Sequence, residues 1–290
     1  MKSKLLTLGM LIAAVVSMVA CTKSMENNDE EMVLKNQQQI EKYLADSAIT
    51  AVKDSSTLYY VIRKANPTGS KPKEGESVRI NFNAFLLDGT KIWSSENTDK
   101  FPFVRPYGFG FLLKGMERGL NIIRTGEVAT FYLPFYLAYG SYDYGNVPAY
   151  SVIKVNVEFV STRGEVKQID DFIQEKQFTV SERTADNLVI VRSNTVTGDT
   201  IGSGKAVNIK YKGKFLSGQI FDNGEKPLAF TTGTNAVVPG FDRAVRKMRK
   251  GEKAIIIFPS ALGYGKNGYI INNQYAIYPY SPLQFEIEVL

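Results

Sequence analysis

One fifteen-residue phrase occurs twice in this chain. Gly126 to Gly140 reads G-E-V-A-T-F-Y-L-P-F-Y-L-A-Y-G, and Gly251 to Gly265 reads G-E-K-A-I-I-I-F-P-S-A-L-G-Y-G. Both fit Gly-Glu-x-Ala-x4-Pro-x2-Leu-x-Tyr-Gly without a gap. The repeat extends on both sides. Ile40 to Leu44 pairs with Ile169 to Ile173, Leu58 to Arg63 with Leu188 to Arg192, and Val78 to Phe82 with Val207 to Tyr211. Lys114-Gly115-Met116 pairs with Pro239-Gly240-Phe241, and Val155 to Glu158 with Phe285 to Glu288. The offset drifts only between about 125 and 130 residues, so insertions are confined to loops. A period this long means two whole domains rather than a solenoid of small units. Each copy is large enough to bury a core of its own.

The first twenty residues have a different character and stand outside the fold. Lys2 and Lys4 precede an apolar run from Leu5 to Ala20, which is short for a membrane span of roughly 20 residues. The run ends Met18-Val19-Ala20-Cys21, which resembles a bacterial lipobox with Met18 where leucine is usual. In lipoproteins that cysteine becomes the acylated N-terminus. A plain secretory signal or an uncleaved anchor is the alternative. Cys21 is the single cysteine of the chain, so no disulfide forms within the mature protein. Thr22 to Glu31 is polar and acidic and reads as a tether.

Charge excludes little. The net charge of +6 falls to +4 once Lys2 and Lys4 leave with the leader. The basic group Arg243, Arg246, Lys247, Arg249, Lys250 and Lys253 reads as a solvated helix face, not a nucleic-acid site. Residue inventory excludes more. The chain has no histidine. With Cys21 committed to lipid there is no free thiol either. Serine and cysteine triads and histidine-based zinc chemistry are therefore out, and no phosphate-binding Gly-x4-Gly-Lys loop is present. No metal or cofactor is expected.

From Leu58 onward each copy alternates short β-rich runs with turns. Asp88-Gly89 and Ser217-Gly218 mark hairpins. One helix is expected inside each copy. Phe241, Ala244, Val245 and Met248 make one apolar face after Pro239-Gly240; Met116, Leu120 and Ile123 do so in the first. Glu30 to Ser47 is a further helix, with Asp170 to Lys176 as its shorter counterpart, and polar Ser161 to Lys167 connects the copies. A mostly antiparallel sheet with one short helix on one face is an α+β plan.

Tyr211, Phe221-Asp222, Val237 to Phe241, Pro259, Tyr264-Gly265, Ile277 and Phe285 resemble the FKBP-type peptidyl-prolyl isomerases. The resemblance implies two FKBP-like domains, each a curved antiparallel sheet wrapped around one short helix. With the leader and the N-terminal helix read above, the chain divides into 1–20 (lipoprotein signal peptide), 21–57 (tether and N-terminal helix), 58–163 (divergent FKBP-like domain) and 164–290 (FKBP-like domain with the better preserved site). The resemblance also implies an apolar bowl that takes a proline-containing segment. Phe241 would be its floor, and Tyr211, Phe221, Tyr264, Ile277 and Phe285 its walls. Asp222 would be its polar group, and Val237 and Val238 its lip, with the Val238 N–H and the Tyr264 hydroxyl holding ligand carbonyls.

Several positions depart from that family. A wall that is usually phenylalanine is Leu228, the floor is Phe241 where many members have tryptophan, and Gly268 to Tyr280 is long and rich in tyrosine. In the first copy Trp93 stands at the aspartate position, Met116 at the floor, Phe82 at the first wall and Val155 at the last, while Phe103, Leu112-Leu113 and Tyr139 keep their type. The expected function is isomerisation of Xaa-Pro bonds in exported or envelope proteins, carried mainly by the second copy. The alternative is a non-catalytic peptide-binding or chaperone lipoprotein. Expected partners are proline-containing clients and a bacterial membrane reached through the lipid on Cys21, with no nucleic acid. The Glu30 to Ser47 helix either forms a dimer or packs locally.

Overall fold

The computed structural model describes residues 28–97 and 103–290. The expected leader and Cys21 lie outside them. Two compact units emerge. One holds the described residues of Met1–Lys71, Arg79–Phe103 and Leu112–Val160; the other holds Pro72–Val78, Val104–Phe111 and Ser161–Leu290.

The first copy contributes strands β1 (Val52–Lys53), β2 (Tyr59–Lys64), β3 (Ser77–Leu86), β4 (Lys91–Ser94), β5 (Phe103–Pro106), β6 (Val128–Leu133) and β7 (Ile153–Arg163). They form a seven-stranded sheet in the order β1-β2-β6-β7-β3-β4, with β5 paired to β3. The second copy contributes β8 (Glu182–Arg183), β9 (Val189–Arg192), β10 (Ala206–Phe215), β11 (Ile220–Asp222), β12 (Leu228–Thr231), β13 (Lys253–Phe258) and, after a hairpin of β14 (Tyr269–Ile271) and β15 (Gln274–Ile277), β16 (Leu283–Val289). Its order is β11-β10-β16-β13-β9-β8, with β12 paired to β10. The two orders superimpose strand for strand, so the sequence repeat is a repeat of topology.

Helices occupy both faces of each sheet. The helix expected inside each copy is present: α2 (Lys114–Ile122) in the first and α4 (Pro239–Arg246) in the second. Each begins with a glycine pressed against the sheet. A Cβ on Gly115 would lie 2.6 Å from Leu133, and one on Gly240 would lie 2.5 Å from Phe258. Only a residue without a side chain lets the helix approach so closely. The approach buries the apolar face predicted from the spacing: Met116, Leu120 and Ile123 in one copy, Phe241, Ala244, Val245 and Met248 in the other.

The second helix of each copy lies on the opposite face. Residues 28–46 form α1, preceding the first sheet, and α3 (Glu165–Glu175) precedes the second. Ile40 and Leu44 of α1 are buried with Tyr59, Tyr132 and Val152. Two of the apolar residues that self-association would draw on are therefore consumed within their own unit, while Leu34 stays exposed. Ile169 and Phe172 of α3 are buried with Val189, Val191 and Ile257. Along β13, side chains alternate in the usual period of two: Ile256 and Phe258 face α4, and Ile257 faces α3. The polar connection between the copies is not a loop. β7 runs to Arg163, Gly164 turns the chain, and α3 starts at once.

The repeated Gly-Glu has a shared cause. Gly126 and Gly251 both hold φ at 82°, a left-handed value that suits glycine. The following glutamates are buried, and each accepts a hydrogen bond from a backbone N–H three residues earlier, Arg124 for Glu127 and Arg249 for Glu252, both at 2.8 Å. Glu252 also receives the Arg192 Nε–H at 2.5 Å. A buried carboxylate persists only where it is paired in this way. The basic group near α4 is likewise paired: Arg243 with Asp186, Lys247 with Glu182, and Arg246 with Asp242 at 2.9 Å.

Candidate functional site

Strand β10 and helix α4 build the site in the second copy. Phe241 follows Pro239-Gly240 in the first turn of α4. With Gly240 held on Phe258, the Phe241 ring turns up into the sheet's hollow and is only 2% exposed. Three rings meet it: Phe285 edge-on at 5.3 Å, Tyr211 edge-on at 5.8 Å and Phe230 tilted at 6.0 Å. Phe221 stands edge-on to Phe285 at 5.5 Å. Edge-to-face geometry of this kind is favourable beyond the area it buries. Ile277 is buried in the same cluster, and Val237, Val238 and Tyr264 pack against it while keeping part of their surface exposed.

The wall needs Gly213. This residue lies opposite both Asp222 on β11 and Phe285 on β16. A Cβ there would come within 2.7 Å of the Phe221 ring and 2.9 Å of the Phe285 ring. The two aromatic walls therefore meet through a gap that only glycine leaves.

Asp222 is exposed at the edge of the bowl. One carboxylate oxygen accepts the Tyr211 hydroxyl proton at 2.8 Å, and the other accepts the Gly224 N–H at 3.1 Å. Burial, then the bond to Asp222, pushes the Tyr211 phenol up to about 12. Burial first, then the charge of Asp222, also raises the Tyr264 phenol above its ordinary value. Both hydroxyls are protonated donors at neutral pH. The Tyr264 ring tilts against Tyr269 of β14 at 5.3 Å, which ties the wall to the tyrosine-rich rim. At the lip, the Val238 carbonyl accepts the N–H groups of Phe241 and Asp242 at 3.1 and 3.2 Å. Its own N–H is one of the donors a helix start leaves open.

All nine residues named from the sequence thus gather on one cluster, with Asp222 on its rim. Leu228 lies opposite Ile209 and packs on the same core, as the departure implied. Three aromatic rings were missed: Phe230 beside Phe241, Phe215 beside Phe221 at 5.2 Å, and Phe258 stacked under Phe285 at 5.7 Å. Period-two spacing from Leu228 points to Phe230. Phe215 and Phe258 carry no separate signal, since each reads as ordinary strand core. The rim hairpin turns at Asn272-Asn273, both at positive φ, the backbone of a tight two-residue turn.

The first copy keeps the frame and changes the lining. Trp93 faces Ala84 in the same register in which Asp222 faces Gly213. Its indole stacks on Phe82 at 4.1 Å with the planes 14° apart. An aromatic sandwich occupies the place of the aspartate–tyrosine bond. Phe82, Met116 and Val155 are buried. Tyr139 repeats the wall tyrosine and stacks on Tyr144 at 5.1 Å. Among the described residues, no group of three or more His, Cys, Asp or Glu is placed to hold a metal ion.

A family model described as FKBP-type peptidyl-prolyl cis-trans isomerase matches residues 68–160 and 198–290. Peptidyl-prolyl cis-trans isomerase FKBP9 of Homo sapiens is 28% identical over 199 residues, covering 68% of this chain and 32% of that protein. FKBP-type peptidyl-prolyl cis-trans isomerase FkpA of Aeromonas hydrophila is 33% identical over 142 residues, covering 48% of this chain and 50% of that protein. The chain thus spans about a third of the first relative and half of the second. The solved structure of the three FKBP domains of wheat FKBP73 aligns with TM-score 0.40 at 23% identity, covering 83% of this chain and 98% of that one. FkpA from Escherichia coli aligns with TM-score 0.40 at 20% identity, covering 56% and 74%.

Tyr211 carries a pH signature. A phenol raised on folding contributes stability that is complete below its unfolded value near 10 and is lost as the pH climbs through about 12. Denaturant midpoints measured from pH 9 to 12 are expected to fall more steeply for the wild type than for Tyr211→Phe. Parallel slopes would contradict the Tyr211–Asp222 bond.

Proposed function

The chain belongs to the FKBP-type peptidyl-prolyl cis-trans isomerase family, and on that premise we propose that its second copy catalyses cis/trans exchange of Xaa-Pro bonds. The observation that carries this reading is the bowl: a Phe241 floor, aromatic walls, and one carboxylate fixed to Tyr211 at its edge.

The chemistry asks little of the protein beyond that surface. A peptide bond resists rotation by roughly 18–20 kcal/mol because resonance spreads charge over oxygen, carbon and nitrogen. Uncatalysed Xaa-Pro exchange takes tens to hundreds of seconds. The twisted transition state has lost resonance and charge separation. An apolar bowl therefore disfavours the planar amide relative to the twisted one, and each 1.36 kcal/mol of difference is about tenfold in rate. The proline ring sits on Phe241 between Tyr211, Phe221 and Phe285. The Val238 N–H and the Tyr264 hydroxyl take carbonyls of the flanking chain. No proton changes owner, so the lack of histidine is no obstacle.

The first copy is the non-catalytic partner. Trp93 stands at the register position of Asp222 and stacks on Phe82, so this side carries no carboxylate. A second reading, peptide binding or chaperoning without turnover, draws on this copy. Met116 is an adaptable floor, and the Tyr139–Tyr144 stack offers a flat apolar wall. The clients are exported or envelope polypeptides of a bacterium, reached from a membrane to which acylated Cys21 tethers the chain.

Exchange of an Xaa-Pro peptide, followed by NMR with the full chain, is expected to accelerate. Phe241→Ala should abolish the acceleration and Met116→Ala should leave it. Equal rates with and without Phe241 would sink the assignment of the bowl. The tether has its own test: Cys21→Ser should move the protein from the membrane fraction to the soluble one. Continued membrane attachment would contradict acylation at that residue.

A further inference from the structure

Each copy holds its site tyrosine at the end of the same short path. After β6 or β13 comes a proline, then a single 3-10 turn, Phe135–Leu137 in the first copy and Ser260–Leu262 in the second. The residue closing the turn, Ala138 or Gly263, has the same unusual backbone in both, near φ −122° and ψ −115°. Tyr139 or Tyr264 follows directly. In both copies the first N–H of this turn is taken by a side chain from the preceding helix. Asn36 of α1 accepts the Phe135 N–H at 2.8 Å. Glu165 of α3 accepts the Ser260 N–H at 2.5 Å and the Ser260 hydroxyl proton at 2.7 Å. Asn36 and Glu165 occupy equivalent positions, four residues before the buried Ile40 and Ile169.

We infer that α3, acting through Glu165, is a positioning element for Tyr264, so that the working isomerase unit includes a helix upstream of the 198–290 stretch the family model matches. The inference rests on the assignment of the bowl to the second copy. Glu165 is the first residue of α3 and meets the first residue of the 3-10 turn. Its carboxylate thus lies at two helix starts, where open N–H groups favour negative charge. The helix that carries it is anchored. Ile169 and Phe172 are buried against β9 and β13, Arg183 pairs with Asp170 at 2.6 Å, and Arg163 pairs with Asp171 at 3.2 Å. A side chain on a fixed helix therefore pins one end of a turn whose other end presents the Tyr264 hydroxyl. Ser260 is buried, so without Glu165 its N–H and hydroxyl would have to find water or another partner. Small displacements of a group that orients substrate have large kinetic effects. In the first copy an amide oxygen takes the equivalent N–H, so acceptance of this hydrogen bond, and not the charge, is what the two copies share.

The test compares full-length wild type, Glu165→Ala and Glu165→Gln. Catalysis of Xaa-Pro exchange is scored per folded molecule, and the amide and ring NMR signals of residues 260 to 264 are followed. Glu165→Ala is expected to lower kcat/KM roughly tenfold and to shift the Tyr264 ring signals, while α4 signals stay in place. Glu165→Gln should restore both. If Glu165→Ala does not fold, Glu165→Asp, one methylene short, serves the same comparison. Wild-type catalysis in Glu165→Ala, or a loss that merely tracks the unfolded fraction, would overturn the inference. Should the wild type itself show no exchange, the isomerase reading fails. The positioning claim then stands or falls on whether the Tyr264 signals move.

Discussion

Everything in the second copy hangs on the seating of α4 against β13. Gly240 lies so close to Phe258 that no side chain fits between them. That contact fixes the first turn of the helix, and Phe241, the next residue, becomes the floor on which Tyr211, Phe230 and Phe285 stand. Gly115 against Leu133 does the same in the first copy. A fold that puts its helix start at the centre of a curved sheet produces a lined hollow as a consequence of packing. The open N–H at the lip comes from the same helix start.

The copies then separate frame from chemistry. The buried Gly-Glu turn, the helix-start glycine, the 3-10 turn and its capping side chain recur in both. The lining does not. Where the second copy opposes Gly213 and Asp222, the first opposes Ala84 and Trp93. Gly213 leaves room for Phe221 and Phe285, while in the first copy a buried valine, Val155, stands where Phe285 does. One duplicated scaffold thus carries an aromatic cluster with a carboxylate at its rim and another without one.

Much of this was legible in the residues. The repeat fixed which segments correspond, and the helix spacing of Phe241, Ala244, Val245 and Met248 located α4. The Asp88-Gly89 and Ser217-Gly218 hairpins form where expected, with Leu86 and Phe215 closing the turns by backbone bonds. The nine residues named as site candidates pack together, Asp222 at the rim, because an ordered series of matches constrains register as well as composition. Other features were hidden for physical reasons. Ser161 to Lys167 reads as a polar linker, but its polarity belongs to a strand end and the first turn of α3. Phe215 and Phe258 look like any strand core, and only the curvature of the sheet decides that they meet Phe221 and Phe285. The role of Glu165 depends on a contact across 95 residues, which no local pattern records.

Binding and exchange are assigned to the second bowl. The most direct measurement is an NMR titration of the isotope-labelled full chain with an Xaa-Pro peptide, reading amide shifts and the peptide's own cis/trans exchange peaks together. Shifts are expected to centre on Val238, Phe241 and Tyr264, with exchange peaks growing as those sites fill. Shifts confined to the surroundings of Met116 and Trp93, or exchange that grows while the second bowl stays silent, would contradict that assignment.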